Sequence, residues 1–90
     1  MGLSRGKIVP EDIYDVVLTL LEKRGTVPGD SEQDKLNYRY LDAGHVDSLG
    51  LHQFILEIED QFGFSLSSEE AQSDDFRTLG GLIRIIEAHL

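Results

Sequence analysis

The 90-residue sequence contains no cysteine and few basic residues. Without cysteine there can be no disulfide, no thiolate metal site and no cysteine nucleophile. Eight Lys and Arg face 17 Asp and Glu, for a net charge of −9. This negative charge argues against nucleic acid and anionic membranes as main partners, since both present phosphate groups. A basic protein partner is the natural complement, unless the charge serves solubility alone.

Long apolar runs are missing as well. Neither a signal peptide nor a membrane-spanning segment is recognisable, which predicts a cytoplasmic protein without a membrane partner. The length suits a single domain over residues 1–90, and we expect it to be monomeric. Residues 1–8 are expected to form a flexible arm, since the first helical pattern begins only after them.

Apolar residues at helical spacing predict three longer helices. The first covers about residues 10–24, with the basic residues Lys23 and Arg24 in its last turn and Gly25 as a good helix stop. The second begins at Asp47 or Ser48, either of which could cap it, and ends at Gly63. The last follows a Thr78 cap. Their apolar stripes are, in turn, Ile13, Val16, Val17, Leu20 and Leu21; Leu51, Phe54, Ile55, Ile58 and Phe62; and Leu79, Leu82, Ile83, Ile86 and Leu90.

A short helix is predicted before the last one, because Ser67 and Glu70 have the spacing of a capping box. Residues 25–47 form a long connection, with local helix expected at residues 32–36. Tyr38, Tyr40 and Leu41 should fold back onto the core, since so long a structureless loop is unusual in a compact domain. No segment alternates like a strand. The predicted fold is therefore an all-α four-helix bundle, three longer helices and one short, with a long loop between helices 1 and 2.

Ser48 is the most interesting polar residue, because it lies where the second helix begins. With His45 and Asp47 it has the composition of a catalytic triad, but sequence neighbours rarely reach triad geometry. The glycine two residues before a nucleophile-elbow serine is also missing, so a hydrolase is only a minor alternative. His52 and His89 are isolated and are interpreted, with His45, as surface or boundary residues.

Glu57, Glu59 and Asp60 are expected to form a solvated helix face. If Ser48 is modified, the same face becomes a candidate docking surface for basic partners. Leu56 lies off the apolar stripe and should be partly exposed.

Asp47-Ser48-Leu49 opens the second helix and Phe62-Gly63-Phe64 ends it. The segments 67–71 and 76–80 then lead into the last helix. With these motifs in this order, the chain from Val9 to Leu90 resembles the acyl carrier proteins, a family of phosphopantetheine-dependent carriers. The resemblance implies a covalent 4′-phosphopantetheine, transferred from coenzyme A to Ser48, with Asp47 and Leu49 completing the motif. The arm's thiol would hold acyl groups as thioesters, and partner enzymes rather than this protein would catalyse each step.

The implied partners are a phosphopantetheinyl transferase and acyl- or aminoacyl-loading and processing enzymes with basic docking surfaces. The resemblance places their contacts along the second helix, at Leu49, Leu56, Glu59 and Asp60.

Two departures bear on the cargo. Gly50 and Gln53 stand where carriers of fatty acid synthesis typically have acidic residues, and the run Gly44-His45-Val46-Asp47-Ser48 is similar to specialised carriers, including D-alanyl carriers. Fatty acyl, specialised acyl and aminoacyl cargo therefore stay open. The alternative of another class is an acidic helical interaction module that is never modified.

Overall fold

Five α-helices and one 3₁₀ turn make up most of residues 10–90, the part of the chain that this computed structural model describes, with side chains from residue 13. They are α1 (Pro10–Glu22), α2 (Glu32–Leu36), α3 (Ser48–Phe62), α4 (Ser68–Ala71), the 3₁₀ turn (Asp75–Arg77) and α5 (Leu79–His89). These residues include no strand, and the predicted all-α fold with three longer helices is confirmed. The arm predicted at residues 1–8 lies outside the described part.

The core lies where the apolar faces of α1, α3 and α5 meet. Its fully buried side chains include Val17 and Leu21 of α1, Phe54 and Ile58 of α3, and Leu82 and Ile86 of α5. Leu90 was predicted to extend the α5 stripe, but this prediction is wrong. The helix ends at His89, and Leu90 is 58% exposed.

The ends of α3 follow from local chemistry. Asp47 is the cap: its backbone is extended and its carboxylate Oδ1 accepts the Gly50 N–H at 2.7 Å. Ser48 is therefore the first helical residue and its side chain is not used for capping. At the other end Gly63 adopts the left-handed conformation (φ 71°), which glycine reaches without steric cost.

The long connection is anchored in the core, as predicted. Tyr40 is completely buried, lies edge-on to the rings of Phe54 and Phe76, and donates its hydroxyl to the Phe76 carbonyl. Tyr38 and Leu41 are half-buried against the same core. The local helix expected at residues 32–36 is present as α2. A connection of this length is thus ordered by a few side chains that reach the interior.

The segment between α3 and α5 packs closely on α5. The predicted capping box is present, since Ser67 Oγ accepts the Glu70 N–H and the Glu70 carboxylate accepts the Ser67 N–H, both at 3.0 Å. The 3₁₀ turn that follows was not predicted. It lies so close to α5 that a Cβ on Gly81 would overlap the Asp75 carbonyl. The absence of a side chain at Gly81 therefore permits this close approach.

Candidate functional site

Ser48 is exposed at the N-terminus of α3. The first N–H groups of a helix have no intrahelical acceptor and lie at the positive end of its dipole. Asp47 takes up the Gly50 N–H, while Leu49 points into solvent with 89% of its surface exposed. A hydroxyl in this position is open to another enzyme and lies beside N–H groups that favour an anionic substituent.

His45 does not form a catalytic triad with Ser48. Its Nε2 lies 2.8 Å from the Leu21 carbonyl oxygen and its Nδ1 lies 2.9 Å from the Tyr38 hydroxyl. Since a carbonyl only accepts, Nε2 is the donor, and in the neutral ring Nδ1 accepts from Tyr38. With both nitrogens bonded elsewhere, His45 is not placed to take a proton from Ser48. The hydrolase interpretation is therefore left without a general base.

His45 is also more than the surface or boundary residue that the sequence suggested. It is half-buried and connects the long connection to the carboxyl end of α1. No sequence signal could have identified this role, because Leu21 lies 24 residues away. The ring also lies edge-on to Tyr38, with centroids 5.4 Å apart.

Arg24 approaches α3 from the end of α1. Its guanidinium lies 3.4 Å from the Gly50 carbonyl, 5.6 Å from the centre of the Phe54 ring and 3.4 Å from the Glu57 carboxylate. These three partners follow one face of α3 over its first three turns. Lys23 adds a second, longer contact to Glu57 at 3.7 Å. Gly50 helps to make room, since a Cβ there would lie 3.1 Å from Asp47 Oδ1 and 3.6 Å from Arg24 Nε.

A shallow groove follows the outer side of α3 away from Ser48. Leu49, His52, Gln53, Leu56, Glu57 and Asp60 line it. Leu56 is 50% exposed, as predicted, so apolar surface and hydrogen-bonding groups alternate along the groove. Exposed apolar side chains beside polar ones are typical of protein-binding surfaces.

The acidic residues of α3 differ in how exposed they are and in whether they already make contacts within the fold. Asp60 is exposed, as predicted for the whole group. Glu57 is half-buried in its contacts with Lys23 and Arg24, and Glu59 accepts the Leu66 N–H at 2.7 Å. The prediction of a solvated acidic face is therefore wrong for Glu57 and Glu59, which are half-buried. Both carboxylates stabilise the fold locally, which leaves Asp60 as the freest acid in the groove.

Between residues 10 and 90, no helix combines the length and apolar character needed to cross a membrane. The same residues bring together no group of side chains suited to hold a metal ion.

Comparisons with known proteins identify relatives over most of the chain. Residues 15–86 match the family model described as "Phosphopantetheine attachment site". An acyl carrier protein of Lactobacillus acidophilus is 32% identical over 80 residues, covering 88% of this chain and 94% of the relative. One from Chlamydia trachomatis serovar L2 is 29% identical over 75 residues, covering 83% and 91%. No solved structure gave a significant match.

Proposed function

The chain belongs to the phosphopantetheine-dependent acyl carrier proteins, and we propose that Ser48 is the residue that bears the prosthetic group. Members of this family are carriers rather than enzymes, and they hold a covalently attached 4′-phosphopantetheine. The single observation that supports Ser48 is its exposed, unengaged hydroxyl at the start of α3, inside the Asp47-Ser48-Leu49 motif.

Three other serines in the matched range are less suitable, because their hydroxyls already make hydrogen bonds. Ser31 and Ser67 use their hydroxyls to cap α2 and α4, and Ser73 Oγ donates to the Glu70 carbonyl at 2.7 Å. A group attached to any of these would remove a local hydrogen bond. Ser48 can be modified without such a loss, because Asp47 already caps α3.

The residues around Ser48 fit a phosphodiester. The N–H groups of the first turn and the helix dipole favour a negative charge there. The Asp47 carboxylate is directed to the Gly50 N–H, which limits its repulsion of a neighbouring phosphate. When bound, the group supplies a terminal thiol that forms thioesters with acyl cargo. The chain itself contributes the attachment point, the exposed surroundings and the surface that partner enzymes recognise.

The attachment reaction would be catalysed by a phosphopantetheinyl transferase with coenzyme A as donor. The Ser48 hydroxyl oxygen forms a bond to the phosphorus that bears pantetheine, and the bond from that phosphorus to the nucleotide part of coenzyme A breaks. The serine proton goes to a base of the transferase, and the leaving phosphate keeps the electron pair. The carrier needs no base of its own, which agrees with a His45 whose nitrogens are bonded elsewhere.

Partner enzymes would dock along the groove of α3. Leu49 and Leu56 offer apolar contacts, and Asp60 offers an exposed charge to a basic partner. Glu59 was included among the expected partner contacts, and its remaining carboxylate oxygen could still take part beside its bond to Leu66. A monomeric state and a cytoplasmic location, without nucleic acid or membrane as partner, remain predictions.

Two residues near Ser48 bear on which pathway the carrier serves. At Gly50 and Gln53 the chain lacks the acidic side chains that a carrier of fatty acid synthesis typically has, and Gly50 lies in the confined space beside Arg24 and Asp47. This supports a specialised acyl pathway over routine fatty acid synthesis. An aminoacyl carrier of the D-alanyl type is the second candidate, supported by the lead-in Gly44-His45-Val46. The named relatives are acyl carrier proteins, which favours acyl cargo.

Intact-mass spectrometry tests the attachment. The protein is incubated with coenzyme A and a broad-specificity phosphopantetheinyl transferase, and one phosphopantetheine should be added. Ser48→Ala should abolish the addition, whereas Ser68→Ala, at an exposed serine of α4, should leave it intact. An unchanged mass of the wild type would favour the unmodified interaction module.

The cargo is tested on the protein purified from its own cells under mildly acidic conditions, which preserve thioesters. Hydroxylamine attacks the thioester carbonyl and releases the cargo as its hydroxamate, leaving the free thiol on the arm. The mass of the released product should correspond to an acyl hydroxamate, and an aminoacyl hydroxamate would instead select the second candidate.

A further inference from the structure

Side chains on both sides of Ser48 connect its segment to the same helix end. Three residues before Ser48, His45 bonds to the Leu21 carbonyl, and two residues after it, the Gly50 carbonyl accepts from Arg24. Leu21 and Arg24 are themselves three residues apart at the carboxyl end of α1, where the Arg24 N–H donates to the Leu21 carbonyl at 3.0 Å. Ser48 therefore lies between two bridges, His45–Leu21 before it and Arg24–Gly50 after it. Both bridges lead to the same turn of backbone at the end of α1.

The bridge before Ser48 is well fixed. The His45 N–H donates to the Tyr40 carbonyl at 3.0 Å, and its ring is bonded at both nitrogens. The Tyr38 carbonyl in turn accepts the Leu79 N–H at 3.2 Å, which ties the same segment to the start of α5. Val46 is then buried next to His45. The chain enters α3 in a defined direction as a result.

The bridge after Ser48 depends on Arg24. Only 20% of its side chain is exposed, and it meets Gly50, Phe54 and Glu57 along one side of α3. A partly desolvated guanidinium that also lies over a ring contributes more than an exposed ion pair. The carboxyl-terminal part of α1, which carries one end of each bridge, is rigid because Leu21 and Val17 are completely buried in the core.

We propose that His45 and Arg24 are positioning residues for the modification of Ser48, holding its hydroxyl fixed relative to α1 so that the transferase meets it in one orientation. The inference rests on the proposed function of Ser48 and goes beyond it. Neither residue touches the reacting atoms. Fixing the nucleophile lowers the entropy that the transfer reaction must lose, so small displacements reduce the rate.

Amide hydrogen exchange tests the two bridges on the unmodified protein, without any transferase reaction. Removing either bridge should speed exchange at the Gly50 and Leu51 N–H groups about tenfold, the effect of one lost hydrogen bond on local opening. Both N–H groups bond to Asp47, at 2.7 Å each, and so report directly on the first turn. The amides of Ile83 and Ile86, in the core part of α5, serve as the internal control and should stay unchanged.

Four variants separate the contributions. His45→Ala removes both ring contacts, and His45→Gln keeps a donor that can reach Leu21, so glutamine should rescue part of the effect. Arg24→Met keeps the apolar stem and loses the guanidinium. Tyr38→Phe removes only the hydroxyl beside His45 Nδ1 and keeps the test possible if His45→Ala does not fold. His89→Gln is the matched control, a histidine with a carboxylate partner at the far end of the fold.

Transferase kinetics give the second readout. His45→Ala should lower kcat about tenfold and leave KM for the carrier near its wild-type value, because His45 does not line the groove of α3. Arg24→Met should lower kcat by a similar factor; because it also frees Glu57, which lines the groove, kcat rather than KM is the readout for this variant. Exchange that accelerates equally at Ile83 and Gly50, or a kcat equal to that of His89→Gln, would overturn the positioning role. A wild type that takes up no phosphopantetheine would instead refute the proposed function, so the two failures are distinguishable.

Discussion

His89 Nε2 lies 2.8 Å from the Glu70 carboxylate, and the His89 ring stacks on Phe64 with centroids 4.4 Å apart. The last residue of α5 is thereby joined both to α4 and to the segment that follows α3. Glu70 has a second task, because it also closes the capping box with Ser67. This cluster holds the carboxyl end of the chain against the segment that reverses direction after α3.

Glu70 should make stability depend on pH. The Ser67 N–H that it accepts, and next the His89 beside it, lower the pKa of the Glu70 carboxyl below 4.5. A depressed folded-state pKa adds stability that is present above the unfolded value and is lost as the pH falls through the folded one. Glu70→Gln should therefore be less stable than the wild type at pH 6, and the difference should shrink below about pH 4.5.

Urea denaturation from pH 3 to pH 7 measures that difference. Glu69→Gln, at the exposed neighbouring residue, is the control and should show no comparable trend. A gap between wild type and Glu70→Gln that is constant with pH would contradict the assignment.

Asp47 should stabilise α3 as its cap. Asp47→Ala leaves the Gly50 N–H without its acceptor and should cost about 1 kcal/mol, with a range of roughly 0.5–2. Asp47→Ser keeps a side-chain oxygen in place and should recover most of the loss. Chemical denaturation of the unmodified protein is the measurement, and equal stability of the alanine and serine variants would show that capping is not what Asp47 contributes.

Leu56 should matter to partners and not to folding. The side chain is half exposed in the groove of α3, so Leu56→Ser should raise KM for the transferase several-fold and shift the free energy of unfolding by less than about 0.5 kcal/mol. Leu90→Ser is a matched control, since Leu90 is similarly exposed but lies at the far end of the chain. Equal KM values for the two variants would remove Leu56 from the docking surface.

Gly81 should tolerate no side chain. A Cβ would overlap the Asp75 carbonyl, so Gly81→Ala must displace the 3₁₀ turn or the start of α5 and should cost about 3 kcal/mol or more. Gly80→Ala should cost less, because its Cβ would lie 3.1 Å from the Leu36 carbonyl oxygen and a small shift relieves that contact. Urea denaturation midpoints of the two variants measure the difference in stability. A Gly81→Ala variant as stable as Gly80→Ala would refute the close packing of the 3₁₀ turn on α5.

Periodicity and capping chemistry are local properties, and for that reason the sequence predicted most of the helices. The stripe through Phe54 and Ile58, the box at Ser67 and Glu70, and the stop at Gly63 are all present. Family resemblance pointed to Ser48, and its exposed place at the start of α3 agrees with that expectation.

The predictions failed where a residue's role depends on a distant part of the chain. Arg24 was interpreted only as a basic residue at the end of α1, yet its partner Glu57 lies 33 residues away. Glu59 likewise acts through one contact to Leu66, and the boundary residue His45 acts through contacts to Tyr38 and Leu21, none of which leaves a pattern in the sequence. Leu90 fitted the spacing of its stripe, but a stripe does not show where its helix ends.

The buried Tyr40 has a consequence for the order of events during synthesis. Its hydroxyl meets the Phe76 carbonyl 36 residues later, and the Tyr38 carbonyl meets the Leu79 N–H. The connection that leads to Ser48 can therefore reach its final geometry only after the start of α5 has left the ribosome. A nascent chain halted after α3 would present Ser48 on an unsettled segment, so the transferase would meet its completed substrate only once α5 is available.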